Sequence, residues 1–247
     1  MYKYANPAEF QRLAQAILPW AGGLTVILFV AGLYFALFAS PADYQQGDTV
    51  RIMYLHVPAA WMALFTYMVI AGASITSLIW KHPLADVAAR AAAPIGAGFT
   101  ALALLTGMFW GEPMWGTWWV WDARLTSFLV LFFIYLGYIA LWDAIDNPVT
   151  AARSAAILAI VGMVNIPIIK FSVDWWNTLH QPASVFKMGK PTIDTSMLIP
   201  LFLMFLAFNA YFVTMQLWRM RAELNLAKIR ALEAAARARA ERAEEAL

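Results

Sequence analysis

The chain has 247 residues, of which 62% are hydrophobic and 13% charged, with a net charge of +2. A soluble domain holds about 45–50% apolar and roughly 25% charged residues, so this balance excludes an ordinary soluble enzyme and a long disordered protein. The absence of cysteine excludes disulfides, thiolate metal sites and iron–sulfur clusters, and no GxxxxGK[ST] or HExxH pattern supplies a nucleotide or zincin site. The small net charge does not point to nucleic acid.

With Asp, Glu, Lys and Arg taken as breaks, long uncharged stretches run over 13–42, 57–80, 91–111, 125–142, 154–169 and 195–218. A bilayer core about 30 Å thick takes roughly 20 apolar residues as a helix, with a range near 17–25. Only the fifth stretch, at 16 residues, falls short. It extends on both sides if Arg153 and Lys170 snorkel to the interfaces. Continuous apolar runs favour helices over an alternating β-barrel. The expected fold class is therefore an all-α integral membrane protein, a bundle of six transmembrane helices.

An even number of spans puts both termini on one side. If that side is cytoplasmic, Lys3, Arg12, Lys81, Arg90, Arg153 and seven basic residues of 219–242 lie inside. Arg51, Arg124, Lys170, Lys187 and Lys190 lie outside, and this twelve-to-five excess follows the positive-inside rule. Trp80, Trp142 and Trp218 then mark the inner boundary, and Trp110, Trp175 and Trp176 the outer one. The chain divides into a transmembrane domain, 1–218, with an outer segment at 110–124, and a tail, 219–247. The tail is rich in Ala, Arg and Glu without Pro or Gly. It reads as a cytoplasmic helix, either solvated or touching a cytoplasmic partner.

Three outer segments collect the polar chemistry. Around the middle one, five tryptophans fall within the twelve positions 110–121. If a short helix starts at Trp115, then Trp115, Trp118, Trp119 and Asp122 share one face at i, i+3, i+4 and i+7, and Trp121 points elsewhere. A single tryptophan at this depth is an interfacial anchor. A row of indoles beside Asp122 and Arg124 makes a platform for a flat aromatic ligand.

The first outer segment carries His56 and the third His180, each followed two residues later by proline. Each alone reads as a polar interface residue. As a pair, two neutral imidazoles from separate segments can ligate one metal from opposite faces, as in a six-coordinate haem. They make no full zinc site unless carboxylates join them. The outer cations Arg51 and Arg124 match two propionates. His82 sits on the inner side and reads as a loop residue.

The run Trp115-Gly116-Thr117-Trp118-Trp119-Val120-Trp121-Asp122 resembles the WWD signature, WGxxWxWD, of bacterial haem-handling membrane proteins. With six spans, both histidine segments and the following Ala-Arg-Leu-Thr-Ser, nearly the whole chain except the tail is similar to the CcmC family of cytochrome c maturation. The resemblance implies haem b held transiently as cargo at the periplasmic face of the bacterial inner membrane. His56 and His180 would be the axial ligands, and Trp115, Gly116, Trp118, Trp119, Trp121 and Asp122 the platform. Arg51 and Arg124 are the propionate candidates. It further implies delivery to the periplasmic haem chaperone CcmE beside the ABC-type subunits CcmA and CcmB and the small membrane protein CcmD, without catalytic turnover by this chain. Membrane lipids are the remaining partner expected.

Two other readings stay open: a haem lyase component attaching haem to apocytochrome c, and a cytochrome b-type electron-transfer subunit. A purely structural subunit leaves the tryptophan cluster unexplained. The spans are nearly free of ionisable residues, which favours lateral or outer entry of cargo.

Overall fold

The computed structural model describes residues 6–180 and 193–244. Lys3, Lys187, Lys190, the Gln181-Pro182 pair and the 245–247 end of the tail lie outside the described residues. Six helical spans are long and apolar enough to cross a membrane, at Pro7–Ala39, Asp48–Trp80, Ala85–Trp115, Ala123–Ala144, Pro148–Trp175 and Thr195–Arg242. The expected all-α, six-span bundle is what forms, and the helices overrun the uncharged stretches at most ends.

Local chemistry sets these ends. Helix α1, Pro7–Tyr34, starts on Asn6, whose side chain accepts from Ala8 N–H at 2.9 Å, with Pro7 at the first helical position. A π-helical turn, Phe35–Ala39, finishes the first span. A 3-10 turn, Asp48–Ile52, runs directly into α2, Met53–Trp80. Lys81 closes α2 in the left-handed region, and Gly116 does the same for α3, Ala85–Trp115. Asp122 caps α4, Ala123–Ala144, and Asn147 caps α5, Pro148–Gly162.

The fifth span is broken between α5 and α6, Asn165–Trp175. Pro167 has no N–H to offer the carbonyl of Met163, and its ring crowds that group. The buried Asn165 amide donates to Ser127 O at 2.8 Å across the break. The tail is a direct continuation of the sixth span, since α7 runs unbroken over Thr195–Glu244.

Packing follows small residues. α2 lies along α3 and α1 along α7, with α4 and α5 closing the bundle against α2 and α3. Ala59, Ala63 and Ala71 of α2, Ala89, Ala92 and Ala93 of α3, and Ala155 and Ala159 of α5 are buried, which lets the backbones approach closely. Gly96 is required because a Cβ there would meet the Tyr135 ring. The Tyr135 hydroxyl donates to Ala63 O at 2.7 Å and that of Tyr67 to Ala159 O at 2.9 Å. Without such acceptors these hydroxyls would be costly in a water-free interior.

At the end formed by the α2–α3 and α4–α5 turns, Arg90 pairs with Glu223 at 3.4 Å and lies over the Trp142 ring at 4.9 Å. This ties α7 to α3 and α4. His82 is at the same end, with Nδ1 accepting from Leu84 N–H at 3.3 Å. His56 stands near the other end of α2, about 39 Å away at 1.5 Å per residue.

Candidate functional site

A cavity of about 1070 Å³ opens at the end where α2 and α4 begin and α3 ends. This exceeds the roughly 300–1,000 Å³ usual for small-molecule sites. Its walls come from the 41–46 connection, the first turns of α2, the last turns of α3, the 117–120 connection, and the starts of α4 and α7. The Trp110 indole N–H donates to Gln46 Oε1 at 2.9 Å and binds the first of these segments to α3.

His56 and His180 both line this cavity. His56 is the fourth residue of α2, so it lies inside the helix and not in the segment before it. The 3-10 turn feeding α2 accounts for the difference, because helix geometry begins before the apolar run does. Its Nδ1–H donates to Ala103 O at 3.0 Å, with Thr106 Oγ1 at 3.1 Å. That places the proton on Nδ1 and leaves Nε2 as the unprotonated nitrogen. Gly107 is needed beside this ring, since a Cβ there would stand 3.0 Å from Cε1. His180 reaches the cavity from the segment after α6, with Nδ1 3.5 Å from Asp122 Oδ2. Burial, and then the Arg124 charge, lower its pKa below the ordinary imidazole range, with Asp122 opposing them. Both effects favour the neutral ring, the form that binds metal.

The tryptophan segment departs from the expected helix. Gly116 adopts φ 70° and ends α3, and residues 116–122 form an irregular connection. The Thr117 hydroxyl donates to Trp119 O at 3.0 Å, and Trp119 N–H returns to it at 3.4 Å. This local side-chain bonding competes with helical pairing. Trp115, Trp118, Trp119 and Asp122 thus share no helical face. Trp115 meets the His180 ring at 5.2 Å between centroids, Trp118 is edge-on to Phe109 at 5.5 Å, and Trp119 is edge-on to Trp121 at 5.4 Å. Trp115, Trp118 and Trp119 line the cavity, whereas Gly116, Trp121 and Asp122 do not. Trp121 is 76% exposed, in keeping with an interfacial anchor.

The two arginines part company. Arg124 lines the cavity, and among the described residues its guanidinium has neither ion pair nor hydrogen-bond partner. Burial works against its charge, and the Asp122 and Asp174 carboxylates offset this only through space, without a direct contact. Arg51 does not line the cavity. Its Nε meets Asp48 at 3.0 Å and its Nη1 donates to Ala36 O at 2.8 Å, which clamps the 3-10 turn to the end of the first span. Lys170, expected only as an interfacial cation, lines the cavity, as does Asp194. Their polarity could have nominated them, but only the fold brings α6 and the start of α7 to this wall. A further feature invisible to pattern is the Trp119 indole nitrogen, which is buried without a hydrogen-bond partner among the described residues.

These features suit one kind of guest. Two imidazoles, His56 held through Nδ1 and His180 with Thr178 and Asp122 beside its Nδ1, offer nitrogen to a metal; indoles offer flat faces; Arg124 offers a positive end to a carboxylate. Among the described residues no group of three or more His, Asp or Glu converges as a metal site of its own. The donor set fits a metal that arrives inside a flat acidic macrocycle.

Comparison with known proteins points the same way. A family profile described as heme exporter protein C matches residues 1–235. The chain is 59% identical to a heme exporter protein C of Bradyrhizobium diazoefficiens, over 93% of this chain and 87% of the relative. It is 46% identical to the Escherichia coli protein of that name, over 90% and 89%. A putative cytochrome c biosynthesis ccmC-like mitochondrial protein of Marchantia polymorpha is 49% identical over 82% and 83%. With one profile covering nearly its whole length and relatives this similar, the chain belongs to the heme exporter protein C family, CcmC.

Proposed function

We propose that the cavity holds haem b as cargo, with Nε2 of His56 and of His180 as the axial ligands of its iron. The protein is a haem-handling, multi-pass subunit of the bacterial inner membrane that serves cytochrome c maturation, and it performs no catalytic turnover of its own. The cavity faces the periplasm, a side supported by the twelve-to-five excess of basic residues on the other segments. From there haem passes to the chaperone CcmE, beside CcmA, CcmB and CcmD.

One observation carries this reading. Two histidines far apart in sequence line one cavity, His56 with Nδ1 bonded to Ala103 O and His180 with Thr178 Oγ1 at 3.4 Å and Asp122 Oδ2 at 3.5 Å from Nδ1. A structural histidine needs no such arrangement, whereas a ligand does, because the bond at Nδ1 fixes tautomer and ring orientation. Trp115, Trp118 and Trp119 supply apolar walls, and Arg124 supplies charge for a propionate. Family membership sets aside the haem lyase and cytochrome b alternatives.

The test is an absorbance spectrum of the purified protein, co-expressed with and without the chaperone. A six-coordinate, low-spin haem that accumulates without the chaperone and diminishes with it is the expected result. A spectrum unaltered in both His56→Ala and His180→Ala would refute axial ligation.

A further inference from the structure

The aspartate that closes the tryptophan motif does not face the cavity; it stands behind His180 and uses both carboxylate oxygens. Oδ1 accepts from Leu125 N–H at 2.7 Å as the N-cap of α4. Oδ2 accepts from Thr178 Oγ1 at 2.5 Å and lies 3.5 Å from His180 Nδ1. Thr178 Oγ1 in turn accepts from His180 N–H at 3.1 Å and lies 3.4 Å from Nδ1. The Asp122 side chain is only 8% exposed.

Capping alone does not account for an ionised group at this depth. Asn or Ser serves an N-cap about as well as Asp, and neither carries the desolvation cost of a charge. The second oxygen explains the choice, because a carboxylate is the strongest acceptor available for an imidazole N–H.

Resting on the reading of His180 as an iron ligand, we propose that Asp122, with Thr178, is the positioning pair for that ligand. Asp122 draws the imidazole proton to Nδ1 and fixes the ring's tautomer and direction. Thr178 holds the backbone of His180 and the carboxylate in register. The negative charge behind the ring raises the basicity of Nε2, as carboxylates behind metal-bound histidines do. Through Oδ1 the same residue fixes the first turn of α4, which carries Arg124. One side chain therefore sets the relative placement of an axial ligand and of the cavity's Arg124. The tryptophan segment and the His180 segment are joined at this point, 56 residues apart.

His56 is anchored differently, by the neutral carbonyl of Ala103. The two ligands are thus unequal: His180 is the more basic, and its strength depends on one carboxylate.

The experiment uses purified protein carrying haem, with variants Asp122→Asn, Asp122→Ser, Asp122→Ala, Thr178→Val and His180→Ala. Asn keeps size and cap, Ser keeps only the cap, Ala keeps neither, and Thr178→Val leaves the cap untouched. Haem retention should fall about 10- to 100-fold in Asp122→Asn, the range for losing such an outer partner. A high-spin component should grow in the absorbance and electron paramagnetic resonance spectra. The haem reduction potential should rise, because a less basic ligand stabilises ferric iron less. Asp122→Ser should match Asn, and Thr178→Val should move the same way by less.

Parent-like spectra, potential and retention in Asp122→Asn and Thr178→Val, beside a His180→Ala variant that loses the low-spin signature, would overturn the positioning role and leave ligation standing. If Asp122→Ala alone were defective while Asn and Ser were normal, the residue is a helix cap and the proposal fails. An unchanged spectrum in His180→Ala would sink this inference together with the ligation reading.

Discussion

The buried indole nitrogen of Trp119 permits a test in which stability and binding separate. Its N–H has no hydrogen-bond partner among the described residues, and a buried donor left unsatisfied costs about 1–3 kcal/mol. Trp119→Phe removes that donor and keeps a flat ring against Trp121. The relief is offset because a phenyl ring fills less of the packed space than an indole, so the haem-free protein should melt close to the parent. Binding should behave otherwise. If haem binding opens this nitrogen to the cavity and a propionate oxygen accepts its N–H, the bond removed is charge-assisted and worth about 1.5–3 kcal/mol. At about 1.4 kcal/mol per factor of ten, haem retention should drop by about 10- to 150-fold. Trp118 is the control, since it is 50% exposed and has no orphaned nitrogen. Trp118→Phe should cost little, and Trp118→Ala more, although less than the about 3–5 kcal/mol of a fully packed aromatic. Haem co-purified at matched protein levels, with melting of the haem-free form followed in detergent, reads both quantities. Parent-like haem retention in Trp119→Phe would refute the assignment of that nitrogen to the cargo, and an equal fall in stability and binding would show the effect to be packing alone.

His56→Ala and His180→Ala should each lose most retained haem, with partial recovery in added imidazole, while His82→Ala at the opposite end changes neither retention nor spectrum. Arg124→Gln should weaken haem retention and make what remains less sensitive to salt; Arg51→Gln should instead lower thermal stability by releasing the 3-10 turn, and a haem loss there equal to that of Arg124→Gln would contradict its placement. Reporter fusions at Trp118 should read as periplasmic and at Asp86 as cytoplasmic; the reverse at Trp118 would put the cavity on the wrong side of the membrane. Gly96→Ala should destabilise the bundle by about 1–3 kcal/mol through overpacking against Tyr135, seen as a lower melting temperature with the haem spectrum of the surviving protein unchanged.

Much of the architecture was legible in the sequence, because a bilayer reduces folding to a one-dimensional question. Any stretch near 20 residues without charge must satisfy its backbone internally, and so it becomes a helix. That logic placed all six spans and put His56 and His180 at the end away from His82. The dense tryptophan run with two histidines also pointed to a haem site, since those side chains are costly to gather without a ligand to use them.

What the linear pattern could not supply was the geometry between segments. A helical face through Trp115, Trp118, Trp119 and Asp122 satisfied the periodicity, yet Gly116 and the Thr117 hydroxyl end the helix first. Periodicity tests a helix only where the backbone has no cheaper local bond to make. Arg51 and Arg124 were equivalent as charges, and only packing decides that one clamps a turn while the other lines the cavity. Asp122 counted as part of the platform by its place in the motif. Its partner, Thr178, belongs to a segment 56 residues away, and side-chain pairing over that distance leaves no trace in spacing. The sequence determines which residues the membrane admits and where the chain must cross it; the tertiary structure decides which polar atoms meet, because that depends on how the helices pack at the cavity end.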